Sequence, residues 1–321
     1  MCGASKRGWT TWLAAGIDRR VEAFIPVVMP ILNITPNLNS AFRSLGGWSW
    51  TFADYVRTYK MMFIRSFIDI CFVQFLAGNM NYFNTPAFDA LAALVDPINY
   101  NSKFTPKPTY IIAASQDEFF QPDSANFFFQ DLRGEKYLRI LPGADHAFHL
   151  TFNLTDVLVS IDTFFHMAVD NLRGPRDLNW NLVKTTSRTE DASIVAVSGT
   201  KPKTVVMYST NTISTTQRDF RLFACVTASG TGCYQGLQWT ATEVDPQYGV
   251  IYTASRKAPE QGWGMFFLEF TYEVAERGWN GEKREFKVTT EVNIVPDVLP
   301  YNSCGTACGL GQVNLANPTA Q

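Results

Sequence analysis

Three residues in this chain are of the types, and stand in the order, that a hydrolytic centre requires: Ser5, Asp117 and His146. A serine hydroxyl is a poor nucleophile until a base removes its proton. Histidine titrates near neutrality and is the usual base. A carboxylate behind it fixes the tautomer and stabilises the imidazolium. Serine, then acid, then histidine is the chain order of α/β-hydrolases. Each position has rivals. Glu118 and Asp123 could supply the acid or simply cap a helix, His149 lies three residues beyond His146, and His166 falls on an amphipathic run that suits a structural histidine. The segment "PGADH" (142–146) favours His146, because Pro-Gly makes a loop directly after a strand.

The serine lies in "GASKRG" (3–8). Small residues at Gly3 and Ala4 permit a sharp turn, and the helix expected behind Ser5 aims backbone N–H groups at the site. The N–H of Lys6 is the candidate oxyanion donor, a kind of contact worth about 2.7–4 kcal/mol. Arg7 occupies the place of the second glycine in G-x-S-x-G, and Gly8 follows one residue late. Arg7 therefore needs an outlet, either a substrate carboxylate or a salt bridge of structural kind. This chemistry needs no cofactor.

These residues must be positioned by strands and helices, and the periodicity supplies them. Residues 5–17 read as a helix, and "VEAFIPVVMPIL" (21–32) as a buried parallel strand with its exit. Residues 33–96 read as a largely helical insertion or cap. "PTYIIAASQDEFF" (108–120) is a strand entering an acidic loop, 122–132 a helix, 136–148 a strand, and 155–172 a helix. Such alternation predicts a parallel sheet with crossover helices. The texture changes near "RGPRDLNWN" (173–181), and seven short period-two strands follow, which predicts an antiparallel β-sandwich. The expected organisation is a partial hydrolase-like domain over 1–172, a sandwich over 173–298 and a flexible tail over 299–321.

Composition bounds the partners. The chain has 321 residues, 46% of them hydrophobic, and a net charge of −2 with no basic block, which argues against nucleic acid. The most apolar stretch, "MMFIRSFIDICFVQFLAG" (61–78), contains Arg65 and Asp69 and reads as a buried or lid helix, not a membrane span. Cys225 with Cys233, and Cys304 with Cys308, could each close a short loop as a disulfide. Asn33 and Asn153 open N-glycosylation sequons. Both features lean towards an oxidising, extracellular setting, although residues 1–17 do not form a secretory signal. No histidine neighbours Cys304 and Cys308 in sequence, so no metal is expected there. A carbohydrate-binding role for the sandwich would rest on exposed Trp239, Trp263 and Trp279, with core packing as the alternative fate.

The segments "GASKRGWTTWLAAGIDRRVEAFIPVV", "VDPINY" and "SQDEFFQPDSANFFFQDLRGEKYLRILPGADH", with the aromatic-rich β region, resemble the PhoPQ-activated pathogenicity-related proteins over most of residues 2–295. That family includes secreted proliferation repressors of social amoebae. The resemblance implies an α/β-hydrolase-like domain followed by an immunoglobulin-like sandwich, a secreted or periplasmic protein, and the triad Ser5, Asp117, His146. Relatives carry a long stretch before the serine turn, whereas only Met1 and Cys2 precede Gly3 here. The chain therefore reads as N-terminally truncated. Without a full anchoring strand, Ser5 is not expected to reach His146, and a misplacement of about 1 Å can cost on the order of 100-fold. The expectation is a secreted serine-hydrolase-like protein, impaired in this form, acting on a small-molecule ester or peptide. The alternative is a signalling protein that uses the scaffold to bind a cell-surface receptor.

Overall fold

The structure is a computed structural model that describes residues 1–52, 80–148, 154–170, 174–175, 177–226, 232–277, 281 and 283–308. The expected helix over 61–78 lies outside them. The chain is a mixed α/β protein. Strands β1 (Cys2–Ala4), β2 (Ile25–Val27), β3 (Thr109–Ala114) and β4 (Lys136–Leu141) form one parallel sheet in that order. Helix α1 (Lys6–Ile17) crosses from β1 to β2. Helices α2 (Ile34–Leu45) and α3 (Pro86–Val95) lie between β2 and β3, and α4 (Leu154–Val169) follows β4. β1 pairs with β2 as Cys2↔Ile25, Gly3↔Pro26 and Ala4↔Val27, and β3 pairs with β4 along all six residues.

Every residue of β3 is buried, as befits a parallel strand covered on both faces. Its side chains alternate between two cores. Ile111 and Ala113 join Trp12, Phe24, Phe104 and Phe128 on one face, and Tyr110, Ile112 and Ala114 join Phe164 of α4 on the other. The helix expected over 122–132 is reduced to a 3₁₀ turn, Ser124–Phe127. Phe128 and Phe129 are consecutive and both buried, an arrangement that an α-helical period running along a surface does not give.

The remaining described residues form antiparallel sheets. β5 (Asn179–Val183), β6 (Asp191–Val197) and β11 (Ile251–Lys257) make a three-stranded sheet, ordered β11-β6-β5. β7 (Thr204–Asn211), β10 (Thr240–Glu243), β12 (Gly264–Arg277) and β13 (Lys283–Thr289) make a larger one, ordered β10-β7-β12-β13, with β14 (Asn293–Val295) also on β12. β8 (Phe223–Val226) and β9 (Gly232–Tyr234) form a hairpin. Sequence periodicity merged β13 and β14, and it missed β5, which starts inside the texture change at 173–181.

Both cores continue into these sheets. On β12, Met265 and Phe267 enter the first core, while Phe266, Leu268 and Phe270 enter the second. Hydrogen bonds reinforce the contact: Tyr110 Oη donates to Lys287 O at 2.7 Å, and Ile140 N–H donates to Thr289 Oγ1 at 3.0 Å. The start of the supposed flexible tail is also fastened. Tyr301 N–H donates to Arg43 O at 3.1 Å, and the Trp48 indole donates to Cys308 O at 2.7 Å, with Cys308 fully buried. No helix among the described residues is long and apolar enough to cross a membrane.

Candidate active site

Ser5 is delivered by the first strand of the parallel sheet. Its N–H donates to Val27 O at 2.9 Å, and one pairing back Ile25 N–H donates to Met1 O at 2.8 Å. Ser5 has φ 54° and ψ −126° and forms the N-cap of α1. A non-glycine residue in this region stores strain of about 1–3 kcal/mol, of the kind found where a side chain is held out for function. The turn is tight because of its glycines. A Cβ on Gly3 would lie 2.5 Å from Arg7 O, and one on Gly8 would lie 2.7 Å from Met29 Cβ. Gly8 thus performs the close helix-on-strand packing that the sequence pattern assigned to the position of Arg7.

The acid and the base arrive on the loops after β3 and β4. Ser115 Oγ accepts from Gly143 N–H at 2.8 Å, and Gln116 N–H donates to Ala144 O at 2.9 Å. These bonds hold the two loops together. Asp117 Oδ1 accepts from the N–H groups of Phe119 (2.7 Å) and Phe120 (3.2 Å), which turns its other oxygen outward. His146 Nδ1 lies 2.8 Å from Asp117 Oδ2, and His146 Nε2 lies 2.9 Å from Ser5 Oγ. With Nδ1–H donating to the carboxylate, Nε2 is left to accept the serine proton. Ser5, His146 and Asp117 therefore form a continuous chain of hydrogen bonds. The expectation that so short a lead could not hold Ser5 within reach of His146 is not met, because the three residue pairs between β1 and β2 anchor the turn.

Burial works against the His146 imidazolium, but the charge and hydrogen bond of Asp117, helped by Glu118 and Asp145, outweigh it and raise its pKa above 6.5. The Phe119 ring packs on the imidazole at a centroid distance of 4.5 Å. Glu118 bonds to backbone amides and not to the ring nitrogens. Its Oε2 accepts from His146 N–H and its Oε1 from Phe223 N–H, each at 3.2 Å. Burial, then the neighbouring Asp117 and Asp145 charges, push its pKa up from 4.5 to about 7. This role was not legible in sequence, where Glu118 was only a rival acid. Asp123 pairs instead with buried Arg218 at 2.9 Å. His166, on α4, pairs with Asp170 just past the helix end, and His149 lies outside the described residues.

The other expected site residues are scattered. Lys6 is the first residue of α1, directly after Ser5. Arg7 is exposed and forms no ion pair among the described residues. Cys225 is bonded to Cys233 across the β8–β9 hairpin, and Cys304 to Cys308. Asn33 is half-buried and its amide donates inward to Phe127 O at 3.0 Å, so a glycan there would require the segment to rearrange. Asn153 lies outside the described residues. Of the tryptophans read as a carbohydrate surface, Trp263 is buried, and Trp239 is half-buried with its indole on Gln116 Oε1 at 3.0 Å. Both serve packing, and Trp279 lies outside the described residues.

Residues 1–221 match the family model described as PhoPQ-activated pathogenicity-related protein. Autocrine proliferation repressor protein A of Dictyostelium discoideum is 38% identical over 327 residues, an alignment covering 100% of this chain and 61% of that protein. The chain thus spans less than two thirds of that relative's length. A crystal structure of an engineered protein aligns at 10% identity over 64% of this chain and 46% of its own, with a TM-score of 0.19, and carries no argument.

Proposed function

The chain belongs to the PhoPQ-activated pathogenicity-related protein family, and on that premise we propose that it is a serine-hydrolase-like protein acting on an ester or peptide bond. The observation that carries this reading is the chain Ser5 Oγ–His146 Nε2–Asp117 Oδ2, at 2.9 and 2.8 Å, between residues far apart in sequence.

In the proposed reaction, Ser5 Oγ attacks the carbonyl carbon of the substrate while its proton passes to His146 Nε2. Asp117 holds the ring and stabilises the imidazolium. The Lys6 N–H, at the start of α1, donates to the oxyanion of the tetrahedral intermediate. His146 then returns the proton to the departing alcohol or amine, and a water deprotonated by the same nitrogen releases the acyl group from Ser5. Exposed Arg7, two residues after the nucleophile, is assigned to a substrate carboxylate.

The same proposal reads residues 1–172 as α/β-hydrolase-like, with 33–96 inserted, and residues 173–298 as an immunoglobulin-like sandwich. Two disulfides, and a relative whose name calls it autocrine, support an extracellular setting. The impairment expected of a loosely held Ser5 is no part of the proposal, since Ser5 is held. The test is a fluorophosphonate probe on the purified chain. Labelling of the wild type that disappears in Ser5→Ala is the expected result, and absence of Ser5-dependent labelling from neutral to mildly alkaline pH would reject the reading.

The relative's name also favours a second reading, a secreted signalling protein that keeps the scaffold and acts through a cell-surface receptor. A proliferation assay separates the two. Loss of the biological effect in Ser5→Ala supports catalysis, and its retention supports binding.

A further inference from the structure

Glu118 is 6% exposed, and no lysine or arginine pairs with it among the described residues. A buried carboxylate without a cation is costly unless several hydrogen bonds hold it. Arg221, two residues before Phe223, is committed elsewhere. Its Nε and Nη2 donate to Asp219 at 2.8 and 2.7 Å, and its Nη1 donates to Ser49 Oγ at 3.0 Å. The Glu118 side chain is held instead by two backbone donors, one on the loop that carries His146 and the other, Phe223, on β8.

The segment that contains Phe223 is docked from several sides. Its carbonyl accepts from the Trp50 indole at 2.8 Å, and Leu222 N–H donates to Gln116 O at 2.9 Å. The Glu118 carbonyl accepts from Ser49 Oγ (2.6 Å) and Thr51 Oγ1 (3.2 Å). Beyond Phe223 the strand is closed by the Cys225–Cys233 bond. The β8 segment and the histidine loop therefore grip the same carboxylate from opposite sides.

We propose that Glu118 is a positioning residue for His146, and that through it the docking of β8 sets the placement and basicity of the imidazole. The antiparallel part of the chain is then a component of the site and not a module attached to it. The inference rests on the hydrolytic reading for its meaning in catalysis, but not for its measurement. The charged and titratable groups around Glu118 are Asp117 on its own loop, Asp145 and His146 on the loop after β4, and the Asp219–Arg221 pair on the segment leading to β8. An ionised Glu118 adds to the negative charge that favours the imidazolium. Removing that charge lowers the histidine's pKa.

The experiment follows the imidazole resonances of the full chain by NMR as pH is varied. The chain has three histidines, and His146→Asn assigns the relevant signal. In Glu118→Gln the titration midpoint of His146 is expected to fall by roughly half a unit or more. In Trp50→Phe, which loosens β8 without touching Glu118, it is expected to move the same way by less, and the amide signals of both His146 and Phe223 are expected to shift. An unmoved midpoint in Glu118→Gln overturns the proposal. A shift there with none in Trp50→Phe overturns the link to β8. Neither readout depends on turnover, so failure of Ser5 to label with fluorophosphonate would reject hydrolysis separately.

Discussion

Gly8 sits so close to Met29 that a Cβ on the glycine would lie 2.7 Å from that of the methionine, and 3.1 Å from Val27 O. The same Val27 carbonyl receives the N–H of Ser5. Helix α1 and the nucleophile are therefore referenced to one point on β2. Gly8→Ala should push the helix from the strand, cost about 1–3 kcal/mol of stability, and lower the rate of Ser5 labelling by on the order of 100-fold. Denaturant unfolding and probe kinetics on the same sample check both. An unchanged labelling rate would show that α1 can shift without moving Ser5.

The pH dependence of Ser5 reactivity follows from His146. The base must be neutral to accept a proton, and its pKa is raised, so the acid limb of the labelling rate should lie above the ordinary histidine value of about 6.5. Asp117→Asn should move that limb down and reduce the rate by about 10⁴. The His146–Asp117 contact should also stabilise the fold below the unfolded histidine's pKa, with that stability lost as pH rises through the folded value.

Glu118 gives a stability signature of the same sign, from burial and not from a contact. Below 4.5 the carboxyl is protonated in both states and its burial costs little. Between 4.5 and about 7 the unfolded chain gives up its proton first, so the folded state loses ground as pH rises. Glu118→Gln should therefore gain stability relative to wild type on going from about pH 4 to about pH 8, by about 3 kcal/mol. Urea midpoints of both proteins at the two pH values measure it, and equal changes in both would show that Glu118 titrates normally.

Arg218 is 1% exposed and joins Asp123 (2.9 Å) to Ser44 Oγ (3.0 Å) and Ser40 Oγ (3.3 Å) on α2. Arg218→Met leaves the Asp123 carboxylate buried without its partner and should cost about 3–5 kcal/mol. Arg218→Met combined with Asp123→Leu should recover much of that loss, and a double variant no better than the single one would contradict the assignment.

A fragment of residues 1–172 should not fold alone, because Phe266, Leu268, Phe270 and Phe286 complete the core around Tyr110 and Phe164. Amide dispersion in an NMR spectrum of the fragment decides the point. A native-like spectrum would establish the first 172 residues as an autonomous domain.

The parallel sheet was readable because β3 is an unbroken apolar run and the elements alternate as crossover units must. The chain order of Ser5, Asp117 and His146 was readable for the same reason, since each follows a recognisable strand or turn. What was lost depends on partners remote in sequence. β5 went unread at the texture change because its residues alternate between exposed and half-buried and carry no strong hydrophobic period. The helix expected over 122–132 gave way to the demands of Phe128 and Phe129. Glu118 was indistinguishable from Asp117 in sequence, as only the approach of Phe223 and the histidine loop separates their roles.

The Trp48 indole, set among Phe42, Phe52 and Phe83, rests on the carbonyl of Cys308. An early segment thus receives its last hydrogen-bond acceptor from residue 308, and Ser5 leaves the ribosome about 300 residues before that acceptor is made. Domain-by-domain maturation during synthesis, common in larger proteins, should therefore give way here to a late, joint assembly. The nascent first half should wait, unfinished and with apolar surface exposed, as a client for chaperones until residue 308 has been made.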